Sequence, residues 1–215
     1  APTPPAEPLA AQDISSALMQ LLGRDAALRF LELTGFPRRA VATLDNLARD
    51  HAPVMAWPVV PTPGRFSVAG DPASATLAPD NAQRYAAFVR FVDGIDPKQA
   101  VDVYRRMYPV LQREYRDLGF TDRTLHTRLF EVINLLLATP EPAQPPRLTL
   151  VQVNGPVPST QPWTRYEFED PALQRLTAGQ KMMLRVGPEH RRVLKAKLEA
   201  IRQELLRTST SAARP

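Results

Sequence analysis

The stretch between Tyr166 and Glu189 constrains local structure more tightly than any other part of this chain. It opens with Tyr166-Glu167-Phe168, whose alternation of aromatic and charged side chains predicts a strand with one buried face. Helix starts and a helix stop follow within the same stretch, each marked by residues with a known capping preference. This density of signals predicts short elements joined by tight connections.

The helix boundaries in this stretch follow from backbone chemistry. Asp170-Pro171 predicts an N-cap followed by proline at the first helical position, where a missing N–H costs nothing. Thr177 and Gln180 have the spacing of a capping box. Gly187-Pro188 predicts a left-handed helix end and the immediate start of another helix. That last helix has one apolar stripe, which predicts burial against a core: Leu194, Leu198, Ile201 and Leu205.

Proline divides the chain into regions. The 23 prolines among 215 residues cluster near the N-terminus and between 140 and 162, where they disfavour helix and central strand. We therefore expect a proline-rich tether at 1–12, a single mostly helical domain at 13–207 with an irregular internal connection at 140–162, and a disordered tail at 208–215. The predicted fold class is mainly α with a minor β element: a multi-helix globular domain with a short antiparallel ribbon.

Apolar periodicity and capping residues predict the remaining elements. Pro109 lies inside one helical pattern and predicts a kink or a break near Tyr108. Helices are expected over 13–22, 25–34, 37–49, 80–93, 96–118 and 121–137. Strands are expected over 57–60 and 65–69, and 148–153 is expected to pair with 164–168 in the ribbon.

The sequence contains no constellation typical of a known catalytic centre. There are no cysteines, which excludes disulfides, thiolate metal sites and cysteine nucleophiles. His51, His126 and His190 are scattered without metal-ligand spacing, and neither a phosphate-binding loop nor a serine-hydrolase motif is present. We therefore predict no catalytic residue, no metal and no cofactor.

Three carboxylates close together in the sequence leave an enzymatic alternative open. Glu167, Glu169 and Asp170 could supply the acid and base of a glycosidase, which would suit a peptidoglycan-acting enzyme of the cell envelope. Helix capping by Asp170 and an outward-facing strand position for Glu167 explain the same residues without catalysis.

An aromatic stripe is the stronger candidate for a binding site. Its members recur at steps of four, three and four residues on one predicted helix. Tyrosine rings with polar tips can line a groove for a partner, and arginines flank them, but the same spacing is typical of a core-facing stripe. The predicted partner-binding residues are Tyr104, Tyr108, Leu111 and Tyr115, with Arg105 and Arg113.

Positive charge is concentrated at the C-terminus. From Pro171 onward ten Lys and Arg face three Glu, a balance of +7 in a chain of net charge +5. Such an excess can bind an anionic polymer or lipid, although a solvated helix face is the simpler interpretation, and nucleic acid is an improbable partner. The predicted basic face comprises Arg191, Arg192, Lys195 and Arg202.

Three separate blocks, in the expected order, resemble a proteobacterial family known as domain of unknown function 3014. They are Leu44 to Arg49, Tyr108 to Gly119 (with Tyr-Pro-Val-Leu and Tyr-Arg-Asp-Leu-Gly), and Tyr166 to Glu189. Val186 and His190 depart from the family pattern, in which Met and Asn are expected. The resemblance implies an N-terminal membrane anchor, a proline-rich linker and a domain outside the cytoplasm, and it implies no activity.

The leading hypothesis is accordingly a periplasmic interaction or scaffold module, tethered to the inner membrane and binding another envelope protein. The chain begins with an alanine- and proline-rich segment, and we expect an anchor to precede it in the full-length protein. The peptidoglycan-acting enzyme and the binding of anionic polymers or lipids remain alternatives.

Overall fold

The structure is a computed structural model that describes residues 7–71, 75–151 and 164–212. It is mainly α-helical, as predicted. The α-helices are α1 Ile14–Leu22, α2 Arg24–Phe30, α3 Phe36–Leu47, α4 Ala86–Asp93, α5 Pro97–Asp117, α6 Leu125–Leu137, α7 Pro171–Gln174, α8 Ala178–Arg185 and α9 Pro188–Ala212. The strands are β1 Val68–Ala69, β2 Thr76–Leu77, β3 Leu148–Leu150 and β4 Tyr166–Phe168, and 3-10 helices span Ala11–Asp13, Val54–Ala56 and Pro79–Tyr85.

The local predictions for the stretch from Tyr166 to Glu189 are confirmed. Strand β4 pairs antiparallel with β3, with Phe168 opposite Leu148. The carboxylate of Asp170 accepts the N–H of Ala172 at 2.8 Å and caps α7. The capping box at the start of α8 is present, and Gly187 has a φ of 92°, the left-handed conformation that lets α9 begin at the next residue. The connection between β3 and β4 lies outside the described residues.

The boundaries of α2, α4 and α6 differ from the prediction. Residues Pro79–Tyr85 form a 3-10 helix, so α4 begins at Ala86 instead of residue 80. Helix α2 ends at Phe30 because Leu31 takes an extended conformation and forms a β-bridge with Val59. Helix α6 begins one turn later than predicted, since Thr124 is its cap and accepts the N–H of Thr127 at 3.1 Å.

Of the kink or break predicted near Tyr108, the break is wrong, because α5 runs uninterrupted from Pro97 to Asp117. Pro109 removes one intrahelical hydrogen bond, the one that the carbonyl of Arg105 would accept. Both residues are exposed, so water can satisfy this carbonyl. The uninterrupted α5 packs against α1, α3, α6 and α9.

The main core lies where α1, α3, α5 and α6 meet, and a second cluster joins α5, α6 and α9. The second cluster centres on Val101, Ile133 and Leu205, so the apolar stripe of the last helix faces a core as predicted. The buried side chains of the main core are Ile14, Leu18, Val41, Met107, Val110, Leu111, Tyr115 and Leu125.

The two ends of the described chain lie next to predicted boundaries of the domain. The N–H of Leu9 donates to the carbonyl of Arg106 at 2.9 Å, so the end of the predicted tether lies against α5. Helix α9 continues to Ala212, into the segment predicted to be a disordered tail. Within the described ranges, no helix combines the length and apolar character needed to cross a membrane.

Candidate functional site

A surface pocket of about 450 Å³ lies where α5, the start of α6 and the C-terminal part of α9 meet. Helix α5 contributes Tyr104 and Tyr108, which share one face of the helix because they lie one turn apart. Helix α9 contributes Leu205 and Thr208, which are also one turn apart. The lining comprises Tyr104, Arg105, Tyr108, Thr124, His126, Leu205 and Thr208.

Two tyrosines and a histidine form the centre of this pocket. The rings of Tyr104 and His126 stack with centroids 6.1 Å apart, and the Tyr104 hydroxyl lies 3.2 Å from Nδ1 of His126. Tyr108 meets both rings edge-on, at 5.9 Å from Tyr104 and 6.3 Å from His126. The ring of Phe130 packs edge-on against the imidazole of His126, with the ring centroids 5.1 Å apart. These contacts hold an aromatic surface in a fixed arrangement.

One glutamine side chain fixes Tyr108 relative to α6. Oε1 of Gln112 accepts the Tyr108 hydroxyl at 2.9 Å and the backbone N–H of Leu125 at 2.8 Å. The second bond satisfies an N–H at the first turn of α6, which has no partner within its own helix. The tyrosine that faces the pocket is therefore tied to the helix that carries the histidine.

Burial favours the neutral forms of the two central groups. Burial, aided by the proximity of Tyr108, raises the pKa of the Tyr104 hydroxyl far above its ordinary value. Burial also lowers the pKa of His126 below 6.5. At neutral pH the Tyr104 hydroxyl can therefore donate to an unprotonated Nδ1 of His126. Arg105, which is exposed, is the one fully charged side chain among the described residues of the lining.

The structure divides the predicted tyrosine stripe into two parts. Tyr104 and Tyr108 are half-buried and face the pocket, together with exposed Arg105. Leu111 and Tyr115 are buried in the main core, where Tyr115 stacks on Phe120 with centroids 4.6 Å apart. The stripe thus runs from the pocket into the core.

The structure also separates Arg113 from the other predicted binding residues. Arg113 is exposed on α5 but does not line the pocket. Its predicted role in binding stays a prediction.

Sequence reasoning missed the residues that α6 and α9 contribute to the pocket. In the sequence His126 is one of three scattered histidines without metal-ligand spacing, and Leu205 belongs to a core-facing stripe. Thr124 and Thr208 gave no signal of their own. Their convergence depends on the packing of three helices that are distant in sequence, which neither periodicity nor capping could reveal.

The predicted basic face is largely neutralised within the domain. Arg192 pairs with Glu189, and Nζ of Lys195 lies 2.7 Å from Glu141. Arg202 donates to Asn134, and Arg191 is buried. The charge excess in the sequence therefore overstates the positive charge that this face presents to a partner.

The three carboxylates of the enzymatic alternative have separate environments. Glu169 pairs with Arg147 at 2.8 Å, and Asp170 caps α7. Glu167 is exposed on β4, opposite Thr149. Among the described residues, no group of three or more histidine and carboxylate side chains could hold a metal ion.

Fold and pocket together define a small, mainly α-helical domain with two accessory two-stranded sheets and an aromatic surface pocket. The family model described as protein of unknown function (DUF3014) matches residues 36–202. The chain belongs to this family, as the resemblance in sequence indicated. No curated protein and no solved structure matches the chain.

Proposed function

We propose that this protein is a periplasmic interaction module that binds another protein of the cell envelope through the pocket around Tyr108. The observation that carries the proposal is the grouping of Tyr104, Tyr108 and His126, which presents rigid aromatic surface at the opening of a pocket. Aromatic side chains that are apolar on the face and polar at the tip are enriched where proteins meet.

The chemistry of the lining indicates what the pocket accepts. Its volume of about 450 Å³ lies within the range of pockets that enclose a side chain or a small group of atoms. An aromatic or large apolar side chain would pack against the two tyrosine rings. Arg105 at the rim would pair with a neighbouring carboxylate of the same segment. The hydroxyl of Thr208 donates to the carbonyls of Glu204 and Leu205, and its oxygen would accept a backbone N–H of the ligand. The proposed ligand is therefore an extended segment with an aromatic or large apolar side chain beside an acidic residue.

The periplasmic location and the tether to the inner membrane belong to the same proposal. They are supported by the family resemblance and by the prolines near the N-terminus, a composition typical of extended spacers. An alkaline phosphatase fusion to the C-terminus of the full-length protein tests the location, because that enzyme requires export to become active. Activity together with membrane fractionation supports the proposal, and an inactive fusion contradicts it.

Site-specific photo-crosslinking tests the binding role of the pocket. A photoreactive amino acid at position 208 lies in the lining, whereas the same group at position 203 lies on an exposed part of the same helix. We expect one defined adduct from position 208 in cells that express the full-length protein, and none from position 203. A synthetic peptide from the crosslinked segment should then shift the NMR signals of Tyr104, Tyr108 and His126.

Two results would contradict the proposal. Identical adducts from positions 208 and 203 would indicate nonspecific contact with the surface of the domain. A peptide that leaves the pocket signals unchanged while it shifts signals elsewhere would place the interface on another surface.

The other two hypotheses have less support. A peptidoglycan-acting enzyme would need two carboxylates that converge on one cleft, whereas Glu169 and Asp170 are committed to an ion pair and a helix cap. Binding of anionic polymers through α9 would need free cations, whereas Arg192 and Lys195 pair with acidic side chains.

A further inference from the structure

Exposed apolar side chains recur on α2 and on the segment that pairs with its end, and none of these lines the pocket. Six large hydrophobic side chains are exposed among the described residues, and four of them belong to α2 and to the segment that pairs with its end. Met55 is the most exposed at 86%, and its neighbour Val54 is 52% exposed. The four side chains are Leu28, Val54, Met55 and Val60, which together we call the apolar tip.

The apolar tip is held rigidly outward. The side chain of Arg39 donates to the carbonyls of Met55 at 2.6 Å and of Thr34 at 3.0 Å. Thr43 donates to the carbonyl of Ala56 at 2.9 Å. These bonds fix the backbone of the 3-10 helix Val54–Ala56 to α3. The side chains of Val54 and Met55 are exposed to solvent.

Arginines occur on or beside the elements that carry the apolar tip: Arg24 and Arg29 belong to α2, which carries Leu28, and Arg39 on α3 bonds the carbonyl of Met55. Arg24, Arg29 and Arg39 form no ion pair with any other residue that the structure describes. Arg39 bonds only to neutral carbonyls, so its positive charge is not compensated there. Between residues 24 and 39 the sequence has four arginines, Asp25 and Glu32, a net charge of +2, of which Arg38 also lies 4.0 Å from Glu114 on α5.

We infer that the apolar tip binds the surface of an anionic phospholipid bilayer. Met55 and Val54 would insert among the acyl chains, and Arg24, Arg29 and Arg39 would meet lipid phosphates. A protein partner fits this surface less well, because a stable interface buries about 800 Å² on each partner. Reversible binding to a bilayer surface needs only a few apolar side chains together with cationic side chains that attract anionic lipids. The inference does not depend on the proposed function of the pocket.

Vesicle co-sedimentation tests this inference directly. We expect the domain to sediment with vesicles of phosphatidylcholine and phosphatidylglycerol, and only weakly with phosphatidylcholine alone. The double substitution Val54→Ser with Met55→Ser should lower the partition coefficient at least about tenfold, since each side chain loses the gain from apolar burial. The combination Arg24→Gln with Arg29→Gln should weaken binding and reduce its dependence on salt.

A matched control distinguishes binding by the apolar tip from nonspecific adsorption of exposed hydrophobic side chains. Val151→Ser with Leu206→Ser removes the other two exposed large hydrophobic side chains of the described residues and should leave binding unchanged. Absence of sedimentation with anionic vesicles, or equal sedimentation of the Val54/Met55 variant, would overturn the inference. Self-association in solution that the Val54/Met55 variant abolishes, without vesicle binding, would overturn it too and identify a protein interface.

Discussion

Asp45 on α3 and Arg128 on α6 are joined by a buried ion pair, with Nη2 of the arginine 2.9 Å from Oδ1 of the aspartate. Nε of Arg49 lies 2.6 Å from the other carboxylate oxygen. The carboxylate is almost fully buried, and both of its oxygens are engaged. This pair connects two helices of the main core that are far apart in sequence.

Substitution of Asp45 by Asn should therefore destabilise the domain strongly. The change preserves the size of the side chain but removes the buried charge that Arg128 and Arg49 share, and Arg128 keeps only its pair with the partly exposed Glu131. Loss of hydrogen bonds to a charged group typically costs about 2–3 kcal/mol. Urea denaturation followed by circular dichroism measures the loss. Glu189→Gln, which breaks the exposed pair with Arg192, serves as the control and should change stability negligibly. Equal effects of the two substitutions would contradict a structural role for the buried pair.

Gly179→Ala should destabilise the domain although alanine favours helix. A Cβ at this position of α8 would lie 2.7 Å from Cδ2 of Leu136 and 3.0 Å from the carbonyl oxygen of Leu47. Overpacking of this kind costs about 1–3 kcal/mol, more than the gain of about 1 kcal/mol in helix propensity.

Gly94→Ala is the matched control for this test. A Cβ on Gly94 has no contact closer than 3.4 Å, and its φ is −71°. Thermal unfolding should show a lower Tm for Gly179→Ala and an unchanged or higher Tm for Gly94→Ala. A stabilising Gly179→Ala would contradict the close packing of α8 against α3 and α6.

The hydroxyl of Tyr115 should be dispensable for the stability of the domain, whereas its ring should be essential for it. The hydroxyl is buried and has no hydrogen-bond partner among the described residues. Tyr115→Phe removes this unpaired group, so we expect unfolding free energy to stay within about 1 kcal/mol of the wild-type value or to rise. Tyr115→Ala should cost about 3–5 kcal/mol, because it leaves a cavity beside Phe120. A marked loss in Tyr115→Phe would show that the hydroxyl has a partner.

Protonation of His126 should make stability depend on pH. Its pKa in the fold lies below 6.5 because of burial, so the unfolded chain binds the proton more readily. The stabilising contribution of the neutral imidazole is complete above about pH 6.5 and is lost as pH falls from there toward the pKa in the fold. Chemical denaturation between about pH 4.5 and 7.5, which brackets the ordinary histidine pKa, measures the slope. His126→Gln should flatten that slope, and an unchanged slope would contradict the burial of the imidazole.

Much of the fold could be predicted from the sequence where its signals are local. Asp170, Thr177 and Gly187 act on residues within one helical turn, so their spacing alone specifies the boundaries of α7, α8 and α9. The prediction was less accurate where distant residues compete, as when Leu31 leaves α2 to pair with Val59.

The candidate site could be predicted only in part for the same reason. Periodicity placed Tyr104, Tyr108 and Tyr115 on one face of α5, but it could not show that burial changes along that face. Only the packing of α6 and α9 against α5 leaves Tyr104 and Tyr108 at a pocket and encloses Tyr115 in the core.

The most direct test of the proposed function compares charge reversal at two arginines on α5. Arg105 and Arg113 are both exposed, but only Arg105 lines the pocket. Isothermal titration with the crosslinked partner segment measures affinity for the wild type, Arg105→Glu and Arg113→Glu. The proposal predicts a loss of about tenfold or more for Arg105→Glu, equivalent to about 1.4 kcal/mol, and little change for Arg113→Glu. Equal affinities for the two variants would contradict the pocket as the binding site.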